Sequence, residues 1–133
     1  MKMIGNKSCA LDTNIIIDLF RGNEDTADKI DSFKKVFIPV NVLGELHLGA
    51  ENSSRKDHHL KQIKALLVRS IVLHTSNKTA SIYGNLKVHL KRKGKPIPEN
   101  DIWIAALAIE NKLSLVTRDK HFKNISELDI LEL

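Results

Sequence analysis

The sequence predicts an α/β domain built on a mainly parallel sheet. Two observations carry that prediction: short apolar segments alternate with stretches of helical periodicity, and the segments that read as strands are separated by about a helix each. A third is length, since 133 residues bury one core and are too few to divide comfortably into two, so residues 1–133 are expected to form a single domain.

Element by element, Lys7 to Leu11 reads as a strand that ends in the turn-like Asp12-Thr13-Asn14, after which Ile15, Ile16, Leu19 and Phe20 repeat at helical spacing. Gly22 stops that helix, and Asp25 or Thr26 is placed to cap the next, which would run through Lys35. Val36 to Ile38 is a brief strand closed by Pro39. Helical periodicity follows from about Asn41 to Ala50 and from about Ser54 to Arg69, then Ile71 to His74 forms the third strand. Ser76 or Asn77 caps a long helix carrying Ile82, Leu86 and Leu90 at intervals of four, stopped by Gly94. A helix from Asp101 to Asn111, a strand from Leu113 to Thr117 and a candidate fifth strand between Leu128 and Leu133 complete the chain.

Charge is unevenly distributed. Net charge is +5, yet no acidic residue occurs from His58 through Pro98, where Lys61, Lys64, Arg69, Lys78, Lys87, Lys91, Arg92, Lys93 and Lys95 all lie. The other 12 of the 21 basic residues therefore face all 16 acidic ones, a division that suits a polyanion held near a carboxylate site. The longest apolar runs fall far short of the roughly 20 residues of a membrane span, and no basic-then-apolar leader opens the sequence, so a soluble cytoplasmic protein is expected. The lone Cys9 has no partner for an internal disulfide and reads as a small buried strand residue.

Four acids stand out. Ligands in open parallel sheets bind beyond the carboxyl ends of the strands, and both Asp12 and Asp119 fall there. Glu45 shares a helical stripe with Val42, Leu46 and Gly49, the side expected to face the protein, and Asp101 shares a face with Ile104, Ala105 and Ala108. Taken singly, a strand-end acid reads as a cap, and an acid in a first helical turn as a dipole partner. Four inward carboxylates together would repel one another unless a divalent cation neutralised them. An all-oxygen donor set points to Mg²⁺ or Mn²⁺. Zinc would ask for closely spaced His and Cys, whereas Cys9 is alone, His58 and His59 would point in different directions on a helix, and His47, His74, His89 and His121 show no ligand spacing.

The motifs Leu11-Asp-Thr-Asn14, Glu45 in its apolar helix, Asn100-Asp-Ile-Trp-Ile-Ala-Ala106 and Thr117-Arg-Asp-Lys-His-Phe122 resemble those of PIN-domain ribonucleases, and among them the VapC toxins. The resemblance covers essentially the whole chain. It implies a PIN-like three-layer α/β/α domain with a central, mainly parallel sheet of about five strands. It implies a metal-dependent endoribonuclease that uses Mg²⁺ or Mn²⁺ and leaves 5′-phosphate and 3′-hydroxyl ends. Asp12 and Asp119 would be the principal ligands, Asp101 and Glu45 would complete the shell, and Asn14 and Thr117 would be polar supports. The implied partners are an RNA substrate such as tRNA or ribosomal RNA, a VapB-like antitoxin whose tail enters the active-site groove, and a second copy of the chain in a homodimer.

For phosphate contacts the best candidates are Lys87, Lys91, Arg92, Lys93 and Lys95, acting mostly as diffuse charge. Phe20, Arg21 and the helix around Leu46 to Ala50 are candidates for apolar surface near the groove, and Trp103 reads as core. Other hydrolase and signalling folds fit worse. A haloacid-dehalogenase-type phosphatase needs a second Asp where Asn14 stands, and a receiver domain needs an acidic pair at the first strand and an Asp after a central one, where the third strand ends in His74. The alternative is an RNA-processing or RNA-binding PIN protein that is not a toxin.

Overall fold

The structure, a computed structural model, describes residues 7–133. Five strands form one sheet: β1 (Ser8–Leu11), β2 (Lys35–Pro39), β3 (Ile71–Leu73), β4 (Ser114–Val116) and β5 (Ile130–Leu131). Six helices intervene: α1 (Thr13–Phe20), α2 (Glu24–Asp31), α3 (Val40–Glu51), α4 (Lys56–Val68), α5 (Asn77–Arg92) and α6 (Glu99–Glu110). A 3-10 turn over Lys120–Asn124, which the periodicity does not announce, lies between β4 and β5.

The strands stand in the order β3-β2-β1-β4-β5, and all four pairings are parallel. The chain thus starts in the middle, winds outward through β2 to β3, then returns to the other side of β1 to lay down β4 and β5. That reversal opens a crevice at the carboxyl ends of β1 and β4, where parallel α/β sheets take their ligands. The register sets Leu11 beside Val116, so Asp12 and Thr117 leave the sheet side by side.

The central strands are apolar on both faces because helices cover both. Cys9, Ala10, Leu11, Leu115 and Val116 are fully buried. Burial pushes the Cys9 thiol up to about 12. In α6, Ile102 and the run Ile104 to Ala108 are all buried, and its alanines let neighbouring elements approach closely. Gly22 and Gly94 end α1 and α5 in left-handed backbone (φ 83° and 66°), as their sequence positions predict.

Several boundaries differ from the sequence reading. Asn23, not Asp25 or Thr26, caps α2, its Oδ1 accepting from the Thr26 N–H at 3.1 Å. Thr26 is instead buried, and Asp25 pairs with Lys29 one turn on. The helix ends at Asp31 rather than Lys35, because the Lys34 N–H already bonds the Lys7 carbonyl at 2.7 Å and draws the chain to the sheet. Ser76 is the cap of α5, in a reciprocal box with Thr79. Trp103 is only half buried and stacks on Tyr83 (centroids 4.1 Å apart, planes 12° from parallel), so it lies at the edge of the core. Gly49 is exposed, because α3 turns that part of its stripe toward an open cleft. Among the described residues no helix is long and apolar enough to cross a membrane.

Candidate active site

Asp12 is the first residue beyond β1, and its extended backbone makes it the N-cap of α1. Only 5% of it is exposed. Oδ1 accepts from the Thr13 N–H at 2.8 Å, and Oδ2 accepts from the Thr117 hydroxyl at 2.7 Å. Burial raises the Asp12 pKa; the bonds from Thr117 and Thr13 oppose the rise, while the charges of Glu45 and Asp119 add to it.

Thr117 leaves β4 beside Asp12 and carries both sides of the crevice. While its hydroxyl donates to Asp12, the same oxygen accepts from the Asp119 N–H at 2.9 Å. The Asp119 carboxylate, in turn, caps the 3-10 turn by accepting from the His121 N–H at 2.9 Å. Asn14, the other expected support, accepts a long 3.4 Å bond from the Arg118 N–H. The Arg118 guanidinium pairs with Asp18 on α1 and reaches Thr26 Oγ1 on α2, so the loop after β4 is tied to the first two helices.

Glu45 comes from α3 and does not float free in its groove. Thr13 Oγ1 donates to its Oε2, and Asn100 Nδ2 donates to its Oε1 at 2.6 Å; Asn41 Nδ2 donates to Asn100 Oδ1 at 3.1 Å. Asp101, next to Asn100 in the first turn of α6, completes the group. Burial and then the charges of Asp12, Asp119 and Glu45 push its carboxyl up to about 6, with His121 the opposing influence. The other three sequence-selected acids therefore lie near enough to act on Asp101 electrostatically, while the tighter group, with one donor atom from each side chain within 4.8 Å of the others, is Asp101, Asp119 and His121.

Three participants escaped sequence reasoning. Thr13 and Asn100 are neighbours of the motif acids, and their polar side chains beside an inward glutamate were the available signal. His121 showed none by spacing, yet its Nδ1 lies 3.0 Å from Asp119 Oδ1 and 3.7 Å from Asp101 Oδ2. The sequence spacing thus missed a histidine that the fold brings beside two of the four acids.

A cleft of about 470 Å³ adjoins the acids and shares Thr13 and Glu45 with them. Its apolar lining includes Ile17, Phe20, Leu46 and Ile63, and Arg21, Arg55, His58 and His59 also line it. The two adjacent histidine rings do not diverge as helical spacing implied: they meet edge to face, centroids 5.4 Å apart, and both line this cleft. Of the expected phosphate contacts, Lys87 is engaged by Glu99, and Lys93 reaches the Asn124 carbonyl at 3.4 Å. Lys91, Arg92 and Lys95 are exposed where α5 runs out toward Asp101.

The donor set suits a divalent cation, since the carboxylates of Asp101 and Asp119 stand together and Asp12 and Glu45 add their charge nearby.

Comparison with known proteins agrees with this architecture. The PIN domain family model matches residues 9–128. Ribonuclease VapC2 of Rickettsia felis is 33% identical over 127 residues, covering 92% of this chain and 94% of its own. Ribonuclease VapC2 of Haemophilus influenzae is 33% identical over 121 residues, covering 89% and 92%. Among solved structures, VapBC2 from Rickettsia felis bound to a DNA fragment from its promoter superposes with a TM-score of 0.91 at 28% identity, over 95% of this chain and 98% of that one. VapBC-1 from nontypeable Haemophilus influenzae gives 0.86 at 29% identity, over 94% and 97%. With the strand order, the four acids and these matches in agreement, the chain belongs to the PIN domain family and to its VapC branch.

Proposed function

We propose that this chain is a metal-dependent endoribonuclease, working as a single PIN domain and as the toxin of a VapBC-type pair. The observation that carries the proposal is the grouping of Asp101 and Asp119 with Asp12 and Glu45 nearby, Asp101 being raised to about 6 by burial and then by the charges of the other three. A cluster so charged favours a divalent cation, and Mg²⁺ or Mn²⁺ matches oxygen donors. Asp12 and Asp119 are assigned as principal ligands, with Asp101 and Glu45 completing the shell.

A bound cation would supply Lewis acidity toward the phosphodiester and lower the pKa of an attacking water. The chain's own residues do the rest. Thr117 and the Thr13 N–H each occupy one lone pair of Asp12, which fixes the carboxylate plane and leaves the remaining lone pairs for a ligand. Thr13 and Asn100 do the same for Glu45. Asn14 steadies the loop that carries Asp119 through the Arg118 N–H. Lys91, Arg92, Lys93 and Lys95, with Lys87 nearby, offer positive potential to an RNA backbone such as that of tRNA or ribosomal RNA, one short loop ahead of Asp101.

The apolar cleft beside Glu45 suits a segment of a VapB-like antitoxin, in keeping with the VapBC complexes to which this chain is structurally similar. Homodimerisation and a cytoplasmic location complete the reading.

The test is cleavage of total tRNA and ribosomal RNA by antitoxin-free protein with Mg²⁺, Mn²⁺ or EDTA, alongside Asp12→Asn and Asp119→Asn. Discrete cuts with 5′-phosphate ends are expected, dependent on the cation and absent from both variants. RNA bound but never cut, or cut equally by the variants, would replace the nuclease with an RNA-binding protein.

A further inference from the structure

Asp101 and Asp119 share their space with one nitrogen. His121 lies on the 3-10 turn after Asp119, and its own N–H is anchored on Asp119 Oδ1 at 2.9 Å. Its neighbour Phe122 is fully buried, so the turn is fixed to the core and the ring is presented from a set position. Nδ1 stands 3.0 Å from Asp119 Oδ1 and 3.7 Å from Asp101 Oδ2, and one donor atom from each of the three side chains lies within 4.8 Å of the others.

The 3.0 Å separation is that of adjacent ligands around one ion, since ligands at about 2.1 Å in octahedral geometry stand roughly 3 Å from their neighbours, and a small closing movement of the 3.7 Å pair would bring Asp101 to the same ion. The contact with Asp119 alone would be an ordinary turn interaction. The approach to Asp101 adds a second segment, because that residue belongs to α6 and its carboxylate meets the same nitrogen. About half of the His121 side chain is exposed (53%), so the ring has solvent as an alternative and is nonetheless turned to the carboxylates.

We infer that His121 is a nitrogen ligand of the cation bound by this site, and that it tilts the site toward Mn²⁺ and similar ions over Mg²⁺. The inference rests on the metal-dependent reading above. Mn²⁺ favours oxygen donors as Mg²⁺ does, but as a larger first-row transition ion it exchanges a water for an imidazole nitrogen more readily than Mg²⁺, which keeps water in such a position. Loss of the imidazole therefore weakens the one class of ion more than the other.

The experiment uses the full chain without a histidine tag, with His121→Ala, His121→Gln and Asp119→Asn. Mn²⁺ and Mg²⁺ affinities are measured by calorimetry, and pulsed electron paramagnetic resonance of the Mn²⁺ form reports ¹⁴N coupling. Wild type is expected to show the coupling and both His121 variants to lose it. Mn²⁺ affinity should fall at least about tenfold in those variants, with a smaller change for Mg²⁺. Absence of the coupling in wild type, its survival in His121→Ala, or equal losses for both ions would overturn the assignment. If Mn²⁺ binds wild type without nitrogen coupling and Asp119→Asn abolishes binding, His121 is excluded and the carboxylate site stands. If Mn²⁺ fails to bind, or binds Asp119→Asn equally well, the metal-dependent reading falls and takes His121 with it.

Discussion

The Thr117 hydroxyl donates to Asp12 Oδ2 at 2.7 Å inside the protein, joining two residues 105 positions apart in sequence. Because the same oxygen accepts from the Asp119 N–H, one hydroxyl sets the spacing of two of the four acids. Thr117→Val keeps the shape and removes the hydrogen bonds. It should cost about 1–3 kcal/mol of stability, since Asp12 Oδ2 is left buried without its donor. Cation affinity should fall by about 10–100-fold. Thr117→Ser should restore most of both, as read by denaturant unfolding and calorimetric titration.

Asp101 makes stability depend on pH in a definite direction. Its folded pKa is raised from 3.8 to about 6, so the protonated carboxyl is favoured in the folded state. The associated stability is fully present below about pH 4 and is lost as pH rises through about 6. Asp12, also raised, acts in the same sense. The metal-free protein should therefore lose stability through Asp101 between about pH 4 and 6, with Asp12 adding a loss of the same sign. Mg²⁺ or Mn²⁺ should raise Tm more at pH 7.5 than at pH 5. Asp101→Asn should raise the metal-free Tm at pH 7.5 and shrink the increase on adding the cation. Thermal scans across pH, with and without the ion, would show both effects.

Arg118 tests how firmly the loop after β4 must be held. Its guanidinium pairs with Asp18, and the two side chains are 41% and 22% exposed. Screening by solvent limits the coupling to about 1 kcal/mol or less. A double-mutant cycle with Arg118→Ala and Asp18→Ala should return that value, with cation affinity reduced in the same variants because the tether ends beside Asp119.

Gly84 lies inside α5 on an exposed face, and a Cβ there would meet nothing within 4 Å. Gly84→Ala should stabilise the fold by about 0.5–1 kcal/mol through helix propensity alone. RNA cleavage should not change. A loss of stability in urea titration would mean that this face is covered in solution.

Cys9 should resist thiol reagents in the folded protein. It is fully buried on β1 with its thiol pushed up to about 12, so modification should track unfolding. Rapid labelling under native conditions would mean that the centre of the sheet opens.

The amino-acid sequence by itself determined the alternation of strands and helices, the stops at Gly22 and Gly94, and the positions of Asp12 and Asp119 at strand ends. These features are legible because periodicity, capping and backbone freedom act within a few residues of one another. Glu45 and Asp101 were legible for a related reason: an acid on an otherwise apolar helix face is anomalous wherever that helix packs. What only the tertiary structure decided is who meets whom. The strand order puts β4 beside β1, and only then does Thr117 reach Asp12. Asn100 finds Glu45 across two helices, and His121 reaches Asp101 because a buried Phe122 pins the intervening turn. Gly49 and Trp103 were misread as inward-facing because helical spacing gives a residue's angle on its own helix and not the width of the surface that covers it. Contacts between distant segments depend on packing the whole core, and no local stretch of the chain encodes that sum.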